Sequence, residues 1–460
     1  MSKGSGSARG AWLGALSASV SVIALWGFTV DDAWITARVA HHLATGIGNR
    51  FNPGGAVVDA VTPLGFAHLL SPFAVRGPHA ALDAARLLGG LGWVGAAAWL
   101  GRELALRGTR SVRFAPLVLV AASVPLGAWA TAGLETGLVV TLCTLALSPK
   151  PVGPLFAGLA AAWRPELLPW AMALGIGTAL GRERRPGPAL VGLALAAAPA
   201  VLVASIRLWA FGSAMPLAAL AKPAGLDDGL RYALGAFLLT GLPVLLLAPR
   251  AARLLGPHEL ALGLAALLHF PAVALAGGDW MPSFRLVVPV LPSCVWVGAA
   301  LAERAALWAT ALRFALGLGL CLHLGFGLAP ASRRIYAQRR ALEESGRRAL
   351  AGAARIATLD VGWVGVATGA FVVDVAGVTD PSVAVLPGGH TSKRLDESFL
   401  SARDVDAVLA LWDGERGGWY RRNDARLAEL AELAGFVRGA ELPLAGSNFR
   451  YVVFRRAPGR

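Results

Sequence analysis

The chain has 460 residues, 56% of them hydrophobic and 15% charged, with a formal net charge of +14 and a mean hydropathy of +0.59. Soluble globular proteins carry roughly 25% charged residues. Here the deficit is confined to the stretch from Trp12 to Leu328, which excludes a single soluble domain.

Apolar runs of about 17–25 residues are long enough to cross a bilayer. The first, Ala11–Val30, follows Lys3 and Arg9. It lacks a clean cleavage site and is read as a retained span that starts in the cytoplasm. Asp31–Ala60 then lies outside. Pro63–Val75 is apolar but short, and is expected to lie on the outer surface. Ala84–Leu100 spans and ends in Arg102, Arg107, Arg110 and Arg113, the clearest cytoplasmic signal in the chain. The turns then alternate. Trp129–Glu135 is outside, Ser148–Pro151 inside and Trp163–Glu166 outside. Arg182, Arg184 and Arg185 are inside, Trp209–Asp228 outside, Arg250 and Arg253 inside, Gly277–Arg285 outside and Arg304 inside. Leu307–Leu328 exits outward.

The expectation is therefore a polytopic α-helical membrane protein of about 11 transmembrane helices, with its N-terminus inside and its C-terminus outside. A membrane body covers residues 1–330 and an extracytoplasmic soluble α/β domain covers 331–460. In that domain, strands are expected at Arg355–Asp360, Ala370–Val375, Ala407–Trp412 and Phe449–Phe454. A helix is expected at Asp424–Leu433, stopped by Gly435. Cys143, Cys294 and Cys321 each lie in an apolar run without CxxC spacing, so neither a disulfide framework nor a zinc site is expected. The positive charge is read as topology and not as a nucleic-acid surface.

Six carboxylates of the membrane body gather on its expected outer side: Asp31, Asp32, Asp59, Glu135, Glu166 and Asp279. Ionisable groups at membrane depth are costly and usually functional, so their gathering points to one site at the outer face. The densest run is Asp31-Asp32-Ala33-Trp34-Ile35-Thr36-Ala37-Arg38. At helical spacing Asp31, Trp34 or Ile35, Arg38 and His42 share a face. The plainer reading is a surface helix with Asp31 or Asp32 at its start.

This run, with Asn52-Pro53-Gly54 and Thr62-Pro63-Leu64, resembles the opening of the GT-C glycosyltransferases. These are multispan enzymes that take sugars from polyprenyl-phosphate donors. The resemblance is closest to the bacterial branch around the mycobacterial terminal arabinofuranosyltransferase. Further segments are similar to that branch, in order: Gly133-Leu134-Glu135-Thr136, Arg164-Pro165-Glu166, Arg207, Phe211-Gly212 with Ala221-Lys222, and Gly277-Gly278-Asp279-Trp280-Met281 with Arg285. In the tail, Asp360-Val361-Gly362 and the run from Asp374 to Pro381 are similar as well. Two departures, Trp34 for a usual Tyr and Ala60-Val61-Thr62-Pro63 for Gly-Tyr-Thr-Ser, bear on the sugar or acceptor.

The resemblance implies inverting transfer at the outer face of a bacterial inner membrane, onto a cell-envelope glycan, lipid or protein. Asp31 or Asp32 is the implied base, Asp31 slightly preferred. Arg38, Arg164, Lys222, Arg231 and Arg285 are the implied donor-phosphate ligands. Trp34, Glu135, Glu166, Asp279 and His390 are the implied positioning groups. The expected partners are a polyprenyl-phosphate sugar, an acceptor glycan and the lipid bilayer, with no nucleic acid. No cofactor is required, although an acidic pair is able to hold a divalent cation.

Each group has a plainer reading. Arg164 and Glu166 pair at a helix start, Lys222 reaches to the membrane interface, and Asp279 caps a turn. His41 and His42 are surface residues, while His269 and His323 are satisfied within helices. Trp129, Trp163, Trp209 and Trp280 form an interfacial belt. The tail is then a passive domain. The alternative function is a transporter or flippase of a lipid-linked or anionic substrate, which calls for charges through the midplane and internal repeats. A third is a sensor or scaffold working through the tail.

Overall fold

The computed structural model describes residues 3–107, 124–183, 186–223, 225–240, 249–279 and 281–456. Arg110, Arg113, Arg184, Arg185 and Trp280 lie outside these residues. The protein is 65% helical with a C-terminal sheet. The helices, in chain order, are α1 (Lys3–Ala24), α2 (Asp31–Ala44), α3 (Phe66–Leu70), α4 (Pro78–Arg107), α5 (Thr136–Ala146), α6 (Gly153–Trp163), α7 (Leu168–Glu183) and α8 (Pro186–Phe211). They continue with α9 (Leu217–Ala221), α10 (Leu226–Leu239), α11 (Pro249–Ala252), α12 (Pro257–Leu275), α13 (Leu291–Ala302) and α14 (Leu307–Ala349). The chain divides into two compact units. One comprises Met1–Phe28, Ala85–Ser205 and Ala224–Arg333; the other comprises Thr29–Ala84, Ile206–Pro223 and Arg334–Arg460.

The first unit is helical. Among the described residues three helices are long and apolar enough to cross a membrane: Gly187–Phe211 within α8, Pro257–Leu275 and Leu307–Ala349. Leu190, Val191, Val201 and Leu202 on α8, and Leu316, Leu322 and Phe326 on α14, are exposed. Apolar helix surfaces of this extent mark membrane association. Among the described residues the expected count of about 11 spans is not met. The helix breaks do fall at the expected turns, after Ala130, Ala146 and Trp163 and between Leu275 and Leu291. The pieces between them, such as Thr136–Ala146 and Gly153–Trp163, are too short to cross alone.

Close helix contacts in this unit use glycine. Gly10 of α1 faces Gly101 of α4, and Gly175 of α7 faces Gly192 of α8. A Cβ at any of these positions would overlap a backbone carbonyl opposite. Small residues let helices approach where lipid removes the usual hydrophobic drive. A second correction concerns α14, expected to end at Leu328. It runs unbroken through Pro330 to Ala349. A proline removes one backbone donor and clashes with the preceding turn, but the Arg-, Ala-, Gln- and Glu-rich stretch after it favours helix strongly enough to continue.

The second unit carries the sheet. Strands β1 (Arg355–Thr358), β2 (Phe371–Asp374), β3 (Ala407–Asp413), β4 (Gly418–Trp419), β5 (Phe436–Pro443) and β6 (Phe449–Arg456) are joined by α15 (Val361–Thr368), α16 (Pro381–Ala384) and α17 (Arg422–Leu433). The order is β2-β1-β3-β6-β5, with β4 on β3. The β1–β2 and β1–β3 pairs are parallel, and β3–β6 and β5–β6 are antiparallel. Val408, Val452 and Phe454 bury one face against Leu427, Leu430 and Ala431 of α17. The four expected strands and the helix are present. β5 was not expected: Gly439 and Pro443 weaken its signal, and a register shift between Arg438 and Glu441 breaks its alternation.

Asp374 explains one motif. Its carboxylate, fully buried, accepts the N–H groups of Ala376, Gly377 and Thr379 and the Thr379 hydroxyl. Gly377 has φ +81° and a Cβ there would strike Ala384. Asp380 then accepts the Ser382 N–H at the start of α16. The Asp374–Pro381 run is accounted for as a turn that ends β2.

Gly175→Leu is expected to force α7 from α8 and lower the thermal midpoint of the lipid-embedded protein by several degrees, following overpacking costs of about 1–3 kcal/mol. A thermal-shift measurement checks this; an unchanged midpoint would contradict the packing.

Candidate active site

The acidic run begins a helix as the spacing predicts. Helix α2 opens with Asp31 and Asp32 in its first turn after an extended Val30. Carboxylates at a helix start meet the positive end of its dipole. The rest of the helix is sunk in the second unit: Trp34, Arg38 and His42 are all buried. The Trp34 ring stands edge-on to His79 at 5.0 Å, and His42 Nδ1 lies 2.8 Å from the Arg50 carbonyl.

Asp31 is bound to the first turn of α15. Its Oδ2 accepts the Gly362 N–H at 2.8 Å and its Oδ1 the Trp363 N–H at 3.0 Å. These are the second and third residues of α15, whose N–H groups normally bond to the helix's own N-cap side chain. The N-cap of α15, Asp360, makes no such bond. Its carboxylate instead takes both Arg421 Nη atoms, at 3.1 and 2.6 Å, and the Tyr451 hydroxyl at 2.9 Å. Arg421 also reaches Asp424 at 2.6 Å. Arg339, from the end of α14, lies 3.8 Å from Asp31. Burial pushes the Asp31 carboxyl up to about 6, against the pull of Arg339, and the Asp360 charge adds to the rise. Burial works in the same direction on Asp360, but the Arg421 guanidinium outweighs it and holds that carboxyl below its ordinary value.

Two glycines permit this seat. A Cβ on Gly362 would overlap the Asp31 carbonyl, and one on Gly365 would overlap the Arg38 guanidinium. Arg38 donates to the Ala370 carbonyl at 2.7 Å and lies over the Phe51 ring at 4.8 Å. Burial lowers its pKa to about 10. Asn52, of the Asn-Pro-Gly turn, pairs with the Val372 backbone in both directions at 2.9 Å. Its carboxamide thus extends edge strand β2, a device that blunts an open edge.

Asp32 is the more open of the pair. Its side chain is 33% exposed against 14% for Asp31. The Lys222 ammonium, just past α9, stands 3.7 Å from it. Nearby in sequence, Arg207 and Asp59 form a buried pair at 2.9 Å, and Arg207 also reaches the Thr62 carbonyl. His390 is half-buried in a turn. The adjacent Lys393 is pinned to the Ala384 and Leu386 carbonyls.

The helical unit holds the other expected groups. Arg164 lies between Glu135 at 3.1 Å and Glu166 at 2.9 Å, all three largely buried. Arg285 pairs with Asp279 at 2.8 Å and lies 5.6 Å from the Trp129 ring. Asp279 also accepts the Met281 N–H at 3.3 Å. Ser283 and Phe284 have φ of 58° and 50°, a strained backbone of the kind that clusters at functional sites. Arg231 is exposed on α10. Arg164 and Arg285 therefore already carry carboxylate partners, while Lys222 faces one at the edge of contact. Among the described residues no three His, Cys, Asp or Glu side chains converge as a metal site.

Sequence reasoning missed Arg339, Arg421 and Tyr451 and gave Asp360 no role. Arg421 and Tyr451 meet Asp360 from other elements of the sheet domain, and Arg339 meets Asp31 from the opposite end of the chain, so no local pattern marks these contacts. No protein-family model matches the chain, and no curated protein matches it.

The raised Asp31 carboxyl gives a pH dependence with a definite sign. Its value in the closed arrangement, about 6, exceeds the ordinary 3.8, so closing the Asp31–α15 contact favours the protonated form. The facing groups are Arg339 and Asp360, and Asp360, held low, stays ionised in this window. Protection of the Gly362 and Trp363 amides, corrected for intrinsic exchange, is expected to fall as pH rises from 3.8 to about 6 and then level off. Hydrogen exchange in wild type and Asp31→Asn checks it; the variant should lose this dependence.

Proposed function

We propose that the protein is a polyprenyl-phosphate-sugar-dependent glycosyltransferase acting at the outer face of a bacterial inner membrane on a cell-envelope glycan, lipid or protein. The observation that carries the reading is the partly exposed pair of Asp32 and Lys222, 3.7 Å apart at the start of α2. Transfer from a lipid phosphate needs a base for the acceptor hydroxyl and a cation for the departing phosphate. Asp32 serves as the base and Lys222 binds the phosphate. The bond from the anomeric carbon to the phosphate oxygen breaks as the acceptor oxygen attacks from the opposite face. The acceptor proton passes to Asp32, and the leaving oxygen departs as polyprenyl phosphate. No covalent enzyme intermediate is needed. The ordered motifs that resemble GT-C glycosyltransferases support the same reaction class.

The N-terminus is proposed to be cytoplasmic, from Lys3 and Arg9 ahead of the first apolar run, and the C-terminal domain lies on the opposite side. A transporter of a lipid-linked or anionic substrate is the second reading. Arg164, buried between Glu135 and Glu166 in the helical unit, favours it.

Purified protein in lipid, given a panel of polyprenyl-phosphate sugars and envelope glycan acceptors, should release polyprenyl phosphate. Asp32→Asn should lose about 10²–10⁴-fold of that rate. Lys222→Ala should lose about 10–100-fold in kcat/KM, the worth of a charge-assisted hydrogen bond of about 1.5–3 kcal/mol. Donor bound or moved across the bilayer without release of polyprenyl phosphate would replace this reading with the transporter.

A further inference from the structure

We propose that Asp31 is a positioning residue, whose clamp by the Gly362 and Trp363 amides fixes the first turn of α2 and so aims the neighbouring Asp32 carboxylate. This rests on the glycosyltransferase reading and gives the C-terminal domain a part in it. Three observations converge. First, both Asp31 oxygens are already engaged, at 2.8 and 3.0 Å, by backbone donors. A base must instead reach the acceptor's proton, and Asp32 is more than twice as exposed as Asp31. Second, the clamp is built from distant parts. Asp360 is drawn away from capping its own helix by Arg421 and Tyr451, which leaves the first-turn amides of α15 for Asp31. Third, the approach tolerates no side chain: a Cβ at Gly362 would overlap Asp31 itself.

Asp31 is thus the first residue of one helix and the cap of another. Successive residues on a helix project about 100° apart, so holding the Asp31 side chain rigidly sets the direction of Asp32. A misplacement of about 1 Å in a reacting group costs about 10²-fold in rate.

The test uses full-length protein in lipid nanodiscs. Release of polyprenyl phosphate from a polyprenyl-phosphate sugar is measured beside hydrogen exchange of the peptide carrying Gly362 and Trp363. Asp31→Asn, which keeps one acceptor oxygen, should lower kcat about 10–100-fold, leave the donor KM within about twofold, and reduce amide protection. Gly362→Ala, with both carboxylates intact, should give the same partial loss. Asp32→Asn should lose more rate with protection retained. The proposal is overturned if Asp31→Asn is as inactive as Asp32→Asn while protection stays at the wild-type level, which makes Asp31 the base. It is equally overturned if Asp31→Asn turns over normally, or if its protection is unchanged. Absence of release by the wild-type protein with every donor defeats the functional reading, and the positioning role with it; a loss of protection in Asp31→Asn would then mark the clamp as purely structural.

Discussion

The carboxylate of Asp31 stands where two helices begin. It belongs to the first turn of α2 by sequence and to the N-terminus of α15 by contact. Helix α15 directs two first-turn N–H groups at it, and it sits at the positive end of the α2 dipole. Each charge-assisted bond of this kind contributes about 1.5–3 kcal/mol. The rest of the second unit is arranged around that shared anion. Asp360 is diverted to Arg421, Arg339 approaches from α14, and Tyr451 closes the group from β6.

Such a network is costly to bury and strongly destabilising to break, because removal of one partner leaves an uncompensated charge. It holds together groups from five elements, and its members divide the work. Arg421 pairs with both Asp360 and Asp424, and Arg339 attracts both Asp31 and Asp360. Backbone complements this electrostatic frame. Gly362 and Gly365 let α15 lie directly on α2, and Asn52 fastens the following loop to the edge of the sheet. The outcome is an acidic helix start whose first carboxylate is held by α15 and whose second is the more exposed.

The cations sort by their partners. Arg164, Arg207 and Arg285 are buried beside carboxylates, and burial without such partners would cost more than the pairing restores. Lys222 keeps a longer contact and a partly wet ammonium. That contrast, more than residue type, separates the buried, paired cations from the one proposed above to receive a phosphate. A lysine also suits this place as a compact charge on a flexible stem.

The sequence by itself determined what depends on neighbours along the chain. Low charge and long apolar runs gave a helical membrane body with a soluble C-terminal domain. Alternating apolar residues gave strands such as Ala407–Asp413, and Asp31-Asp32 marked a helix start. Among the described residues it overcounted spans, because an apolar run records hydropathy but not the turn that cuts it into pieces like Thr136–Ala146 and Gly153–Trp163. It also ended α14 at a composition change through which the backbone simply continues. Only the tertiary structure decided that Asp31 caps α15, that Asp360 serves Arg421, and that Asp32 stands beside Lys222. These are pairings between elements distant in sequence, set by packing and charge pairing in three dimensions, and no local spacing encodes them.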